Sequence, residues 1–513
     1  MNRGETIGAI ANARIVGSAL PLPVGDEPHD VVIEGGRVVD IAPAGALGRL
    51  LPAGHGPVLD AGGGWLMPGL WDHHVHLTQW ALRAAREPLG HARSAAEAAG
   101  IMADAPVLAD GRRVGSGYRD ALWADEPDRV LLDVATGDVP TYLINADVHA
   151  VWLNSAALRR EGHDPLGSGV LRELPAFEIS RRLNAMDSER GDELVAVAAE
   201  RAAARGIVGM VDLDMAWNED AWARRLQNGF DAVRVRFGIY PADLPRALAE
   251  GLRSGDRVRG AVSDLVRVGP FKVITDGSLG TRTAACSHPY PGSTHDHGVL
   301  TVPPEELLEL MTAATAGGLE SAVHAIGDLA NSHALDAFAI TGATGTIEHA
   351  QLVAHSDLPR FARLGVAASV QPAHAVDDRD IADREWAQQT ALAYPLRSLA
   401  DAGAELRFGS DAPVSELDPW NAIAAAVFRT GDDRDPWHDG QRAPWHLEQA
   451  VPFEVARAAS TERGSGEGAV AIEPGALADL VLTASDPRAA DAAGLRAMDV
   501  AATMIAGRLT HLG

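Results

Sequence analysis

"GLWDHHVH" (residues 69–76) is a short apolar run that closes on Asp72, His73, His74 and His76. Seven more stretches share its design: "IVGMVDLD" (207–214), "VRVRFGIYP" (233–241), "LVRVGPFKVITDG" (265–277), "ESAVHAIGD" (320–328), "GTIEHAQ" (345–351), "GVAASVQPAH" (365–374) and "AELRFGSDAP" (404–413). Each reads as a strand ending in polar residues. The segments between them are rich in Ala, Leu, Arg and Glu and read as helices. Eight alternating β/α units imply an α/β protein, a closed (β/α)8 TIM-type barrel. The spacing breaks once. No second barrel strand occurs between Leu77 and Arg205, so an insertion over about 77–205, partly helical, follows the first strand.

The two ends read differently. "HDVVIEGGRVVDIAP" near the start and "IEPGALADLVLTASDP" near the end are β-branched runs broken by Gly, Asp and Pro, with little helical period. Residues 1–65 and 456–513 are expected to join in one small composite β domain, a β-sandwich, beside a barrel over 66–455.

In such a barrel the C-terminal strand ends converge on one site. Here they carry Asp72, His74 and His76 (first), Lys272 and Asp276 (fourth), His324 and Asp328 (fifth), His349 (sixth), His374 (seventh) and Asp411 (eighth). Residues i, i+2 and i+4 of a strand share a face, so His74 and His76 point together and His73 points away. Imidazoles with carboxylates and no thiolate suit zinc or a similar divalent metal. A lone strand histidine is more often a satisfied core residue, and Asp411 alone reads as a turn aspartate; the joint pattern makes the case. "HDHG" (295–298) lies in a Pro/Gly/Ser-rich loop and reads as solvated, and "AGGGW" lacks the strand–turn–helix context of a phosphate loop.

An ordered set of motifs adds a resemblance. "PGLWDHHVHL" (68–77), "FKVITDGSLGTRTAA" (271–285), "VHAIGD" (323–328), "IEHAQ" (347–351), "SVQPAH" (369–374), "FGSDAPV" (408–414) and "EPGALADLVL" (473–482) resemble the amidohydrolase superfamily, in its YtcJ-like branch that includes N-substituted formamide deformylases. The insertion segments 130–158 and 169–173 resemble that branch as well. The resemblance implies the same barrel. It also implies His74, His76, His324 and His349 as metal ligands, Asp411 as ligand and general acid/base, and Lys272 as the lysine that many members carboxylate to bridge two metals. The implied cofactor is a divalent metal, zinc first, one or two per chain, with Lys272 as N6-carboxylysine. The implied reaction is hydrolysis of a non-peptide C–N bond (amide, N-formyl, N-acyl or cyclic amide) by a metal-activated hydroxide. Deaminases in the superfamily resemble a pattern with Glu three residues after the fifth-strand histidine; here that position is Gly327. A lactone or ester hydrolase, a non-catalytic metal-binding barrel and a metal-free glycosidase remain as alternatives.

Further residues are candidates. His374 and His149 would hydrogen-bond the developing oxyanion or the substrate, His149 from an insertion folded over the barrel mouth. Arg282 and Asp276 are candidate substrate-binding residues. Trp71, Trp80, Trp152 and Trp217 hint at an aromatic pocket. Lys272 is the only lysine among 44 basic side chains. Lysine can lose its proton and attack CO₂, which arginine cannot, so a carbamate requirement would retain lysine at this one place.

Composition bounds the rest. The 513 residues are 46% hydrophobic and 22% charged, an ordinary globular balance. A net charge of −26 argues against nucleic acid and anionic membranes as partners. The partner expected is a small-molecule substrate, with a homodimer as the base-rate assembly. Cys286 stands alone, so no internal disulfide forms. No secretory start and no membrane-length apolar run is seen, so the expected compartment is the cytoplasm.

Overall fold

The computed structural model describes residues 1–17, 27–51, 55–184, 188–261, 263–431, 442–466 and 470–513. Parts of both expected end segments, 18–26, 52–54 and 467–469, lie outside the described residues.

Eight parallel strands form the centre: Leu70–Val75, Ile207–Asp212, Arg234–Ile239, Val266–Ile274, Ser321–Ala325, Gly345–His349, Val366–Val370 and Leu406–Phe408. Each pairs with its predecessor, so their order in the sheet is their order in the chain. The ring is nearly closed. Asp411 N–H donates to His74 O at 2.7 Å and His76 N–H to Ala412 O at 2.8 Å, which ties the first strand to the turn after the eighth. Gly409 permits this approach: a Cβ there would lie 2.6 Å from His74 N. The strands are apolar throughout because helices cover the outside and side chains fill the inside. One apolar cluster runs through both layers, from Met210 and Phe237 to Phe338, Phe361 and Trp420. The last barrel helix, Phe453–Ala459, runs across residue 456 and buries Ala456 and Ala459 in that cluster.

The chain ends meet in a second sheet. Arg508–Leu512, Val500–Ile505, Leu480–Thr483, Trp65–Pro68, Ala9–Ile15, His29–Glu34 and Arg37–Pro43 pair in that order, and Val58–Asp60 adds to Ala9–Ile15. Ile10, Val31 and Val38 from one arm share a core with Leu66, Leu480 and Met504 from the other.

The stretch between the first two barrel strands is more than helical. It holds a five-stranded sheet of Val170–Arg172, Ala150–Leu153, Thr141–Asn145, Arg113–Tyr118 and Glu87–Pro88, with helices Ala95–Asp104 and Leu174–Asn184 against it. The insertion docks on the loop after the fourth barrel strand. Ser278 Oγ donates to Asp147 Oδ2 and Thr283 Oγ1 to Glu173 Oε1, both at 2.6 Å. No helix among the described residues is long and apolar enough to cross a membrane.

Candidate metal centre

Strand alternation places His74 and His76 on the inner face at the top of the barrel. His73, between them, turns outward and donates from Nε2 to Thr461 O at 2.8 Å. Asp72 accepts from His74 N and Ser410 N at 3.0 Å, so it braces the junction of first and last strands. Asp411 completes a triangle: its Oδ1 lies 3.4 Å from His74 Nε2 and 3.3 Å from His76 Nε2. The His349 ring is 4.8 Å from His74 and 4.5 Å from His324. His324 and the insertion's His149 stand 5.6 Å apart, and His349 and His374 stand 6.3 Å apart. Donor atoms of His74, His76 and Asp411 lie within 4.8 Å of one another, as do those of His349, His374 and Asp411; His324 is in neither group.

Partners on the far side of the His74 and His349 rings fix their lone pairs, whereas His76 Nδ1 is buried without a partner. His74 Nδ1 donates to Glu348 Oε2 at 2.6 Å and His349 Nδ1 to Gln371 Oε1 at 2.8 Å, which leaves both Nε2 atoms as bases facing inward. His324 Nε2 faces Gly277 O and Asp276 Oδ1, each at 3.4 Å, leaving Nδ1. His374 has a side-chain amide on its far side: Nδ1 lies 3.3 Å from Gln351, whose other end lies 3.3 Å from Tyr394 OH, while that hydroxyl donates to Asp378 Oδ2 at 2.9 Å. His374 Nε2 is buried and without a protein partner.

Lys272 is 1% exposed, and its Nζ has no hydrogen-bond partner. Burial depresses its ammonium to about 8, against the pull of Glu348 and Asp411. Burial alone would raise the Asp411 carboxyl. His74, His76 and His349 override it and hold the group well below its ordinary range. Glu348 is likewise held down, at about 2, by His74 and Lys272 against burial. His149 is raised to about 9, because Glu173 Oε2 at 2.9 Å from Nδ1 outweighs desolvation. The donor chemistry fits a divalent cation: inward imidazole lone pairs, one carboxylate shared by two clusters, no thiolate, and an orphaned amine beside them.

A cleft open to solvent lies above these groups and spans about 670 Å³. His149, His324, His349, His374 and Asp411 line it, with Arg119, Asp120, Asn145, Asp147, Ser278, Gln351, Asp377 and Asp378 among the others. Two expected substrate contacts are elsewhere. Asp276 is fully buried, and its carboxylate accepts from Ala285 N, Ile326 N and Gly327 N at 2.8–3.0 Å, so it pins the turns after the fourth and fifth strands. Arg282 lies outside the lining and faces Glu385 at 3.3 Å and Pro291 O at 2.9 Å. The aromatic pocket is also corrected. Trp152 is in the insertion core, Trp71 packs on Val208 and Ile505, and Trp80 and Trp217 pack on the barrel core. The site's wall is acidic and polar instead. In the "HDHG" loop His297 is half-buried, its Nδ1 on Cys286 O at 3.0 Å.

Sequence reasoning passed over Glu348, one residue before His349. A carboxylate directly before a ligand candidate at a strand end was the available signal; His349 sits at φ 75°, so strand alternation breaks there and both side chains reach His74. Glu348→Gln is expected to weaken metal binding by about 10- to 100-fold, since the His74 tautomer and ring angle lose their anchor. Competition against a graded chelator series measures this; an unchanged affinity would show that Glu348 only packs.

Comparison with known proteins agrees with this geometry. A family model described as an amidohydrolase family matches residues 57–511. Protein LONG AFTER FAR-RED 3 of Arabidopsis thaliana is 27% identical over 93% of this chain and 87% of its own. YtcJ of Bacillus subtilis (strain 168), whose name places it among the amidohydrolases, is 25% identical over 96% and 97%. The N-substituted formamide deformylase of Arthrobacter pascens is 24% identical over 94% of each. The crystal structure of an uncharacterized metal-dependent hydrolase from Pyrococcus horikoshii OT3 superposes with a TM-score of 0.77, at 26% identity, over 94% of this chain and 98% of that one.

Proposed function

This chain belongs to the amidohydrolase family, in its YtcJ-like branch, and we propose that it hydrolyses a non-peptide C–N bond of an amide, N-formyl, N-acyl or cyclic amide substrate. The observation that carries this reading is the shared position of Asp411 Oδ1, within 3.4 Å of both His74 Nε2 and His76 Nε2. The deformylase relative supplies the bond type.

His74, His76 and Asp411 would hold one divalent cation, zinc first. His324, His349 and a carboxylated Lys272 would hold a second. A cation there activates water and polarises the scissile carbonyl. The chain's own groups do the rest. Asp411 Oδ1, ionised at neutral pH, takes a proton from the attacking water and passes it to the leaving nitrogen, so water and amide give acid and amine. His374 Nε2, buried, unpartnered and in the cavity lining, is positioned to hydrogen-bond the oxygen that gains charge. His149, protonated beside Glu173, places a second donor at the same cavity. We also take the two chain ends as one small domain, its two arms the faces of a sandwich because one apolar core joins them, with the C-terminal part beginning after the barrel helix Phe453–Ala459 rather than at 456. The cytoplasm is kept as the compartment.

Elemental analysis after expression with zinc and bicarbonate should find about two metals per chain. The same preparation should hydrolyse a member of an amide, N-formyl and lactam panel, lose activity to a chelator and regain it with zinc. Hydrolysis confined to lactones or esters would transfer the site to C–O bonds. No metal in repeated preparations would remove the mechanism.

A further inference from the structure

Of the four histidines that line the cleft, His149 alone comes from the insertion. Val148, just before it, sits at φ 58°, a conformation that a β-branched residue rarely adopts. Glu173 sits at φ 55°. These two left-handed residues frame one buried hydrogen bond, His149 Nδ1–H to Glu173 Oε2 at 2.9 Å. The backbone braces the same contact: Glu173 N–H donates to His149 O at 2.9 Å, and His149 N–H to Asp147 Oδ1 at 3.0 Å. Phe177, one helical turn after Glu173, sets its ring 5.1 Å from the imidazole and at 74° to it. The second oxygen of Glu173 is tied to the barrel, because Thr283 Oγ1 donates to Oε1 at 2.6 Å. Gly277 leaves room for that bond: a Cβ there would lie 2.0 Å from Thr283 Oγ1 and 2.6 Å from Glu173 Oε1. Docking alone is already met by Ser278 Oγ on Asp147 Oδ2 at 2.6 Å. Strained backbone kept at a braced turn marks a group whose placement matters. Neither Glu173 nor Thr283 lines the cleft. His149 does, and with Nδ1 engaged its Nε2 is the nitrogen left to face the substrate.

We infer that Glu173, held by Thr283, is a positioning residue that acts through His149 and presents His149 Nε2 to the tetrahedral centre formed at the acyl carbon. The inference rests on the hydrolase reading above, which supplies that centre. Glu173 and Thr283 touch no reacting atom. They fix the ring nitrogen and the angle that His149 offers, so the loop after the fourth barrel strand sets the aim of a group carried by the insertion.

The test uses the zinc-loaded protein and two probes. N-butylformamide is followed by amine release, and butylboronic acid, which becomes tetrahedral when bound, by titration calorimetry. His149→Ala should lower kcat by about 10²-fold with little change in KM. Glu173→Gln, which keeps the side chain's shape, should lower kcat by about tenfold. Thr283→Val should follow Glu173→Gln, and Thr283→Ser should restore the rate. Each loss in kcat should be matched by weaker butylboronate binding, with melting temperature and zinc content held. The double variant decides between aim and docking: once His149 is replaced, Glu173→Gln should cost nothing further. Additive losses, an unchanged kcat in Glu173→Gln, a loss that tracks a fallen melting temperature, or binding of neither probe would overturn the inference. Turnover with additive losses fails this inference alone. Graded butylboronate binding without amide hydrolysis fails the hydrolase reading alone.

Discussion

Asp411→Asn is expected to lower kcat/KM by about 10³-fold or more, the span of a lost general acid/base. Asparagine is the informative replacement. Asp411 sits at φ 56°, in the left-handed region that Asn and Asp tolerate best among residues with a Cβ. Its backbone N–H also closes the barrel on His74 O, and that bond survives the change. The variant should therefore fold, and its circular dichroism should match the parent's. The change removes a carboxylate that two potential ligand clusters share. An amide oxygen binds a cation more weakly and accepts no proton at neutral pH. Turnover and metal content should be measured on one preparation. Lost turnover with metal retained isolates the proton-transfer role, and loss of both isolates the ligand role. A variant that keeps more than a tenth of the parent's activity would remove Asp411 from the chemistry.

The barrel was legible because its strands announce themselves as apolar runs and, in all but "VRVRFGIYP" (233–241), as runs with His or Asp at or near the end. Asp72, His74 and His76 were assigned to one inner face by strand period alone, and that face holds them. The insertion's sheet was not legible. "RVGSGY" mixes Gly and Ser into a strand, and "AVWL" is too short to show a period. Its docking through Asp147–Ser278 and Glu173–Thr283 joins residues 131 and 110 positions apart, and no local pattern encodes that. Asp276 and Arg282 were misplaced for a related reason. Charge next to a strand end signals the mouth of the barrel, but it does not distinguish a carboxylate aimed at substrate from one pinning backbone N–H groups. The tryptophans failed likewise, since a large aromatic near a strand end packs the core as readily as a pocket. His374 was assigned to the substrate rather than the metal, and what supports that choice is its buried, unpartnered Nε2 in the cavity lining, which no local pattern encodes.

Lys272→Arg is expected to lose about 10³-fold in activity, comparable with removal of a preorganised charge from an active site, together with part of the metal. Arginine is the common base in this chain, so the substitution follows the composition and conserves charge. What it takes away is a nitrogen that can be neutral. Lys272 Nζ is buried, unpartnered and depressed to about 8, against an ordinary 10.5, so a fraction of the amine is unprotonated at neutral pH. In the proposed carbamate that amine would attack CO₂: an N–C bond would form as one C–O π bond opens, one proton would leave to solvent, and the ammonium site would become an anionic two-oxygen group. Arginine stays protonated and cannot follow this path. It would instead leave a permanent cation among His74, His324 and His349, where a metal's charge belongs. If the carbamate is the requirement, protein prepared without bicarbonate should be poorly active and recover on its addition. Lys272→Ala should regain a measurable part of its metal and activity with a short carboxylate such as propionate, which supplies the missing oxygens in the space left by the side chain. A Lys272→Arg variant that holds its metal and turns over at the parent's rate would leave the lone lysine as a packing residue, and the second metal would lose its bridge.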